Sequence, residues 1–580
     1  MNILSHSAIG KFTVASVLLL GTSFIFYNSG HVSNRIQSNT VDIGCSPGAS
    51  LISGPGKDGK FIGAMPGWFF SSYKVSAKND SAQFYFDQGL AMYYSYHMAE
   101  AIASFKEAAR VDSTLAIAWW GQALAMGPAY NNSYAYIMKK EVPAVVARMK
   151  LLISNAPPKE KDLIEAIISR YDISDSADTK RKDLNKNYSG KMKMLIDRYP
   201  GDDNIKALYI DAVMLEHEWD FWNNDGTPKE WTPELVELCK KILKNNSTHP
   251  AALHYYIHVT EASRTPEVAL SSADLLKDIM PGVAHMVHMS SHEYERIGMY
   301  TKGSAVNEKA DSNLAVYHNL APQLNSAAHS PHYFAVDAYC ALSGGMYKKA
   351  MAKAQLCRNI VSPDHTKTHA QYLYMLPALV QTRLGKWKEI IADTLVIDKS
   401  WTYAGLLNDF AKGMAFANTE NLTEARRYLE ALREKAKDEI LKQPFVPYMS
   451  SPKEVALIAE KILEATIYFF NKEQKLAAQS LQVAIAAEDK LIYVEPKVWI
   501  LPARQYAGTY LLKSHQYNDA EKIFRNDLIA NPGNGWSLIG LFQSLEAQNG
   551  SKEAETIKPL YLRSFSDAEE IPPSAVWIYR

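Results

Sequence analysis

Apolar residues recur every three or four positions along most of this chain, from Gln83 to Gly550. Positions with that spacing lie on one face of an α-helix, which can be buried against a neighbouring helix. No stretch alternates between apolar and polar residues in the way of a half-buried strand flanked by turn dipeptides. The pattern therefore predicts an all-α protein.

The predicted helices come in pairs in which small and large residues hold fixed places. Gly89 and Gly121 stand where two helices would cross, and Phe105 stands where a large side chain would fill the gap. The same order recurs near the C-terminus, around Gly508 and Phe524. Tetratricopeptide (TPR) hairpins have this pattern. We therefore predict a TPR-like α-solenoid of about eight to ten hairpins, with a concave groove lined by the first helix of each pair.

The helical pattern and the composition divide the chain into four segments. Residues 1–30 are an export signal or N-terminal anchor, and residues 31–80 are a Gly/Ser/Pro-rich linker with an irregular cap. Residues 81–550 are the repeat array, and residues 551–580 are a C-terminal helix and tail. In the first segment, Lys11 precedes an apolar run from Phe12 to Tyr27. That run is long for a signal peptide and short for a membrane span, so a cleaved signal and an uncleaved anchor are both open. Either way we expect an exported protein, periplasmic or anchored facing the periplasm.

Two short segments concentrate histidines at helical spacing. His254 and His258 are four positions apart, and His285, His288 and His292 fall at i, i+3 and i+7. In helices, each set lies on one face. The two segments are about 31 residues apart, close to the period of a helical hairpin, so the two faces should lie side by side.

These segments predict a transition-metal site, because imidazoles from neighbouring helices are common metal ligands. The predicted ligands are four central histidines, a further histidine and one carboxylate: His254, His258, His288, His292, His285 and Glu261. Glu261 could instead be the hydrogen-bond partner that fixes a histidine tautomer. An imidazole-rich set with few carboxylates favours Cu, Zn or Fe over Ca or Mg.

Two other interpretations of the histidines stay open. They could form a buried polar network that hydrogen-bonds carbonyls and tyrosines, or a surface that grips a peptide. His217 could join from the preceding repeat, whereas His97 and His249 are expected to cap or pack at turns.

Composition and motifs exclude several classes of function. Lys and Arg total 62 and Asp and Glu total 62, so the net charge is zero and no nucleic-acid partner is expected. No nucleotide-binding or haem motif occurs, so no nucleotide cofactor is predicted and catalytic residues stay unassigned. His292 and Glu293 begin like a zinc-protease motif, but Arg296 replaces its second histidine.

Two further groups of residues have alternative interpretations. The four cysteines either form a bridge, for example Cys340 with Cys357, or stay free and buried: Cys45, Cys239, Cys340 and Cys357. The segment 488–504 concentrates charged and tyrosine residues and is either an ion-paired helix corner or a polar patch facing the groove.

Several strings of the chain resemble a family of exported bacterial TPR-repeat proteins, most of them without an assigned function. They are FDQGLAMYYSYHMAEAIASFKEAA, HPAALHYYIHVTEAS, HMVHMSSHEYERIGMY and NDLIANPGNGWSLIGL. The resemblance covers most of residues 80–550 and implies an exported solenoid. The chain departs from that family at Ser290, which replaces a proline, and at Ala335, which replaces a second histidine after His332.

The sequence thus predicts an exported TPR scaffold that binds a protein, peptide or ligand in its groove and carries a His-rich metal site. The alternative is a metal-dependent (Cu, Zn or Fe) extracytoplasmic enzyme that uses the same histidines. An enzyme should keep a pocket with convergent polar groups beside the metal, whereas a scaffold should present an open groove.

Overall fold

A computed structural model of the chain describes residues 54–69, 72–548, 550 and 552–578. In these residues the regular structure is helical, with 24 α-helices, five short 3-10 helices and one isolated β-bridge. The all-α prediction is confirmed. The predicted signal or anchor and Cys45 lie outside the described residues. None of the described helices combines the length and the apolar character that a membrane span requires.

The helices follow one another through short connections. The first eight are α1 (Asp80–Tyr94), α2 (Met98–Val111), α3 (Ala116–Met126), α4 (Val142–Leu152), α5 (Pro158–Ile168), α6 (Arg181–Arg198), α7 (Asp203–Glu216) and α8 (Thr232–Asn245). The next eight are α9 (Pro250–Thr260), α10 (Leu270–Ile279), α11 (Ala284–Arg296), α12 (Tyr300–Leu320), α13 (Pro331–Ser343), α14 (Tyr347–Ile360), α15 (Thr368–Arg383) and α16 (Trp387–Ala392). The last eight are α17 (Thr402–Asn418), α18 (Leu422–Lys435), α19 (Pro452–Phe470), α20 (Gln474–Glu488), α21 (Ala503–Lys513), α22 (Tyr517–Ala530), α23 (Gly535–Glu546) and α24 (Lys552–Ser564).

Consecutive helices pack as hairpins, and each hairpin packs on the next one, as in a TPR-like array. The 24 helices form twelve consecutive pairs, more than the eight to ten predicted. The prediction was too low because the helices within residues 145–235 lack the regular alternation of small and large residues. The predicted crossings are confirmed: Gly89 and Gly121 both lie against the Phe105 ring, and Gly508 and Gly540 both lie against Phe524. 

The hairpin turns share one backbone feature. The second residue after the first helix has a positive φ in seven pairs: Tyr96, Gly298, Gly345, Gly385, Glu420, Lys472 and His515. A left-handed residue at this place satisfies the last helix carbonyls and reverses the chain. The turn after α9 differs, since Glu261 caps that helix in a right-handed conformation.

The C-terminal repeats lie against the middle of the chain. The Gly533 amide donates to the Arg296 carbonyl at 3.2 Å, and the Asn224 side chain donates to the Asp489 carbonyl at 2.8 Å. The Trp536 indole donates to the Ser343 carbonyl at 2.8 Å. These contacts cover the C-terminal ends of α11 and α13 and the loop after α7.

The described cysteines form no bridge. Cys239, Cys340 and Cys357 are buried and free, so the alternative of buried thiols is confirmed for these three.

Candidate metal centre

Three successive first helices supply the predicted histidines. Helix α9 begins at Pro250 after its cap His249, and places His254 and His258 one turn apart. Helix α11 carries His285, His288 and His292, and α13 begins at Pro331, directly before His332. The six side chains that form the centre are between 0% and 5% exposed: His254, His258, His285, His288, His292 and His332.

The six imidazoles form two groups of three. In the first group, His254, His258 and His285 each offer a nitrogen within 4.8 Å of the others. The Nε2 atoms of His254 and His285 are 2.9 Å apart. Three imidazoles that meet in this way are a common protein contribution to a transition-metal site with an open position.

The second group consists of His288, His292 and His332. The Nε2 atom of His288 lies 3.1 Å from that of His292 and 3.2 Å from that of His332. These three side chains come from two helices, and His332 contributes from the start of α13.

The two groups adjoin each other. Ring centres are 5.9 Å apart for His285 and His288 and 6.1 Å apart for His258 and His292. These distances are no longer than the 6.2 Å between His258 and His285 within one group. The two groups are therefore contiguous, and each could hold one metal ion.

Glu261 joins the two groups from outside the centre. Its two carboxylate oxygens contact Nδ1 of His258, at 3.3 Å, and Nδ1 of His292. Burial alone would raise the pKa of Glu261, but His292 and His258 lower it to about 2. An ionised carboxylate accepts hydrogen bonds only, so both rings carry their proton on Nδ1 and leave Nε2 with a lone pair. Glu261 is thus positioned as a hydrogen-bond partner of ligands rather than as a ligand.

Two further rings are oriented in the same way. Nδ1 of His254 lies 2.7 Å from the Tyr94 carbonyl, and Nδ1 of His288 lies 2.7 Å from Oδ1 of Asn307. The Asn307 amide nitrogen donates to the Gly303 carbonyl at 2.8 Å, which fixes the oxygen toward His288. Four of the six imidazoles therefore point an unprotonated Nε2 into the centre.

Facing lone pairs are satisfied by a metal ion or by a proton that one ring donates to the other. In their neutral forms both rings carry the proton on Nδ1, and such rings cannot form a hydrogen bond across the 3.1 Å between the Nε2 atoms of His288 and His292. Nε2 of His258 is buried without a hydrogen-bond partner. Burial and the neighbouring imidazoles lower the pKa of His288 well below its usual value, and burial lowers that of His258. A metal ion would satisfy these nitrogens without requiring imidazolium ions in a buried site.

Aromatic rings enclose the centre. Tyr96 lies against His254 and His285, with ring centres 4.7 and 5.3 Å apart. Tyr333 stacks on His288 at 4.6 Å. Such a shell restricts water around a metal and tunes its chemistry.

The structure brings all predicted residues together and adds His332, whose helix the sequence left in doubt because Ala335 replaces a second histidine there. The helix start Ser330-Pro331 was a usable signal for it, because Ser330 caps α13 and places His332 in the first turn. Two other histidines considered in the sequence lie outside the centre and pack against neighbouring residues. His217 stacks on Trp231 with ring centres 3.5 Å apart, and His97 accepts from the His285 amide at 3.4 Å.

Two cavities adjoin the centre. A cavity of about 10 Å³, the volume of one water, is lined by His332, His369 and Glu495 among others. A larger cavity of about 570 Å³ lies beyond Trp219, whose ring centre is 5.9 Å from that of His258.

No protein-family model and no curated protein matches this chain. The human IFIT1 dimer with m7Gppp-AAAA is similar at 12% identity and a TM-score of 0.33, over 83% of this chain and 96% of that chain. Yeast Tom70 is similar at 11% identity and a TM-score of 0.29, over 77% of this chain and 92% of that chain. The Cut9 complex with Hcn1 gives 11% and 0.29, over 86% of this chain and 79% of that chain. At these values the likeness carries no information about a ligand of this chain.

Proposed function

We propose that the protein is a transition-metal-dependent enzyme with a dinuclear centre of six imidazoles. The observation that carries the proposal is the convergence of buried Nε2 atoms from three helices, with Nδ1 of four rings held by oxygen acceptors. Oriented imidazoles that direct their Nε2 lone pairs to one place are what a resident cation needs.

The number of ligands favours catalysis over a purely structural site. Structural zinc sites hold four protein ligands, whereas catalytic sites use three and keep a position for water or substrate. Each group here offers three imidazoles. The 570 Å³ cavity, separated from His258 by Trp219, gives a small molecule a place near the centre.

Copper is the expected metal, with zinc and iron as the alternatives. Nitrogen-only sites bind divalent ions most tightly at copper in the first-row series, and imidazole suits copper, zinc and iron. Copper, zinc and iron can each be added to the metal-free protein, and the amounts bound identify the preferred metal.

Export remains part of the proposal. It is supported by the apolar run from Phe12 to Tyr27 after Lys11. Fractionation of cells that express the full chain tests it: recovery in the cytoplasmic fraction would contradict it.

The metal proposal is tested by mass-spectrometric metal analysis of untagged protein after incubation with copper, zinc or iron. The wild type should hold two equivalents of one metal, whereas His258→Asn and His332→Asn should each lose at least one. His217→Asn is the matched control, because this histidine stacks on Trp231 outside the centre. Circular dichroism checks that every variant is folded. Uptake of no metal by the wild type, or equal uptake by all variants, would overturn the proposal.

A protein or peptide scaffold is the second candidate function. It is favoured by a surface groove between α19 and α20, where Leu457 and Val483 are exposed. Leu457→Glu should abolish retention of a partner by the purified chain and leave the metal content unchanged, with Ile529→Glu as an exposed apolar control. Equal retention by both variants would exclude this groove.

A further inference from the structure

The 570 Å³ cavity lies between segments that are far apart in the chain. Its walls come from the loop after α7, the turn after α9, the end of α11 and the segment 488–504. Its volume falls in the range of about 300–1,000 Å³ that is typical of small-molecule sites.

One layer of side chains separates this cavity from the metal centre. Trp219 lines the cavity and has its ring edge toward His258. Arg296 also lines the cavity and donates from Nε to the Glu261 carbonyl at 3.0 Å. Trp219 has φ of +59°, which an aromatic residue adopts rarely and which indicates that its position is imposed by the surroundings.

Two guanidinium groups at the cavity lack an acidic partner. The hydrogen bonds of Arg296 go to the carbonyls of Glu261 and Ser263, and Nη2 of Arg264 donates to the Asn224 carbonyl. Within the described part of the chain, neither forms an ion pair with a carboxylate. Nε of Arg264 is buried and has no partner.

The other charged groups that line the cavity are mostly satisfied. Arg504 forms a two-pronged pair with Asp489, and Lys229 pairs with Asp220 at 2.9 Å. Lys497 donates to Asn531. The remaining acids are Glu218, Glu488 and Asp527, which accept from Ser133, the Ala503 amide and Ser537.

Two of these acids contribute less negative charge than their number suggests. Burial raises the pKa of Glu218 to about 7 and that of Glu488 to about 7, so each is partly neutral near neutral pH. Arg264 and Arg296 are therefore the guanidinium groups at the cavity whose hydrogen bonds go to carbonyl oxygens rather than to carboxylates. Guanidinium groups bind carboxylates and phosphates in a planar, two-pronged manner.

The rest of the wall is aromatic. Trp219 lies nearly parallel to Tyr448, with an angle of 14° between the rings, and Trp222, Tyr493 and Trp499 also line the cavity. Such faces bind flat rings by stacking and by dispersion.

We infer that the cavity binds an aromatic oxyanion, with its anionic group at Arg264 and Arg296 and its ring against the aromatic wall of the cavity. The inference that this ligand is the substrate of the metal centre rests on the proposed function. The inference that the cavity binds such a ligand does not depend on a metal. A carboxylate and a phosphate share the required chemistry.

The test uses the full chain, metal-free and metal-loaded, with three probes: benzoate, phenyl phosphate and neutral benzyl alcohol. Binding is measured by calorimetry and by the fluorescence of the cavity tryptophans. At least one anion should bind with one-to-one stoichiometry and at least tenfold more tightly than benzyl alcohol, and the tighter anion identifies the source. Arg264→Gln should weaken that anion at least tenfold, whereas Arg427→Gln, at an exposed arginine paired with Glu424, should leave it unchanged.

Two results would overturn the inference: both anions binding no more tightly than benzyl alcohol, or folded Arg264→Gln binding them like the wild type. Metal content is measured on the same samples, so the two proposals fail separately. If the chain binds the anion but takes up no metal, the cavity is a ligand site and the proposed metal-dependent enzyme function is wrong. Metal uptake without anion binding would remove the substrate class alone.

Discussion

The Nε2 atoms of His288 and His292 lie 3.1 Å apart although the Nδ1 atoms of both rings face oxygen acceptors. Two neutral imidazoles in this tautomer repel each other across that gap, and a shared or adjacent cation removes the repulsion. The predictions below follow from this relationship and from the packing that holds it in place.

Replacing Glu261 by Gln should weaken metal binding by about 10–100-fold, the usual effect of losing the partner of a ligating histidine. A glutamine amide can accept from only one of His258 and His292, and its NH₂ group would force the other ring to place its proton on Nε2. Competition with a chromogenic chelator measures the affinity. Glu267→Gln, at an exposed glutamate near the same turn, is the control. An affinity of Glu261→Gln equal to that of the wild type would show that the carboxylate has no such role.

Removing the metal should lower the stability of the folded chain. A ligand that binds only the native state at 100 times its Kd stabilises it by about 2.7 kcal/mol. Thermal unfolding of chelated and reloaded protein should differ accordingly. Hydrogen exchange should show the loss of protection in α9, α11 and the start of α13. Loss of protection spread evenly over the chain would contradict a centre located in these helices.

The crossing of α21, α22 and α23 depends on two glycines around one ring. A methyl group added at Gly540 would lie 2.3 Å from the Phe524 ring, so Gly540→Ala should destabilise the protein by about 1–3 kcal/mol. Gly190 lies inside α6 with open space around it, and Gly190→Ala should stabilise by up to about 1 kcal/mol. Urea denaturation of the two variants measures both effects. The same sign for both would mean that the ring contact does not limit this crossing.

Asp211 should make stability depend on pH. Burial raises its pKa from 3.8 to about 6, against the hydrogen bond that Tyr93 donates to it and the charge of Arg170. The folded chain thus holds this proton more tightly than the unfolded chain. The stabilisation is complete below about pH 4 and is lost as the pH rises through 6.

Asp211→Asn stays neutral, so its stability relative to the wild type should rise by about 2.4 kcal/mol between pH 4 and pH 8. Denaturation of the metal-free proteins across this range measures the difference. Asp278→Asn, at an exposed acid, serves as the reference. If the difference in unfolding free energy between Asp211→Asn and the wild type does not change with pH, the pKa of Asp211 is not raised by folding.

The clustering of the histidines was largely predictable because its signal is local. His254 and His258 lie on one helix, and His285, His288 and His292 lie on the next first helix at a spacing that fixes one face. Their division into two groups was not predictable, because it depends on the rotation of α9 and α11 about their axes. The role of His332 depends in the same way on how closely the start of α13 approaches α11.

The large cavity could not be predicted from local patterns. Asn224 and Asp489 are in contact although 265 positions separate them. Their meeting depends on the rotation added by every hairpin between them, and small errors in each accumulate. The segment 488–504 has features of both interpretations, the ion-paired corner and the polar patch. Asp489 and Arg504 form an ion pair, and both line the cavity.

Anomalous diffraction at the absorption edge of the bound metal, from crystals of the untagged and metal-loaded protein, tests the central claim most directly. The account predicts two peaks, one among His254, His258 and His285 and the other among His288, His292 and His332. A single peak shared by all six side chains, peaks elsewhere on the chain, or no peak in protein loaded with copper, zinc or iron would contradict it.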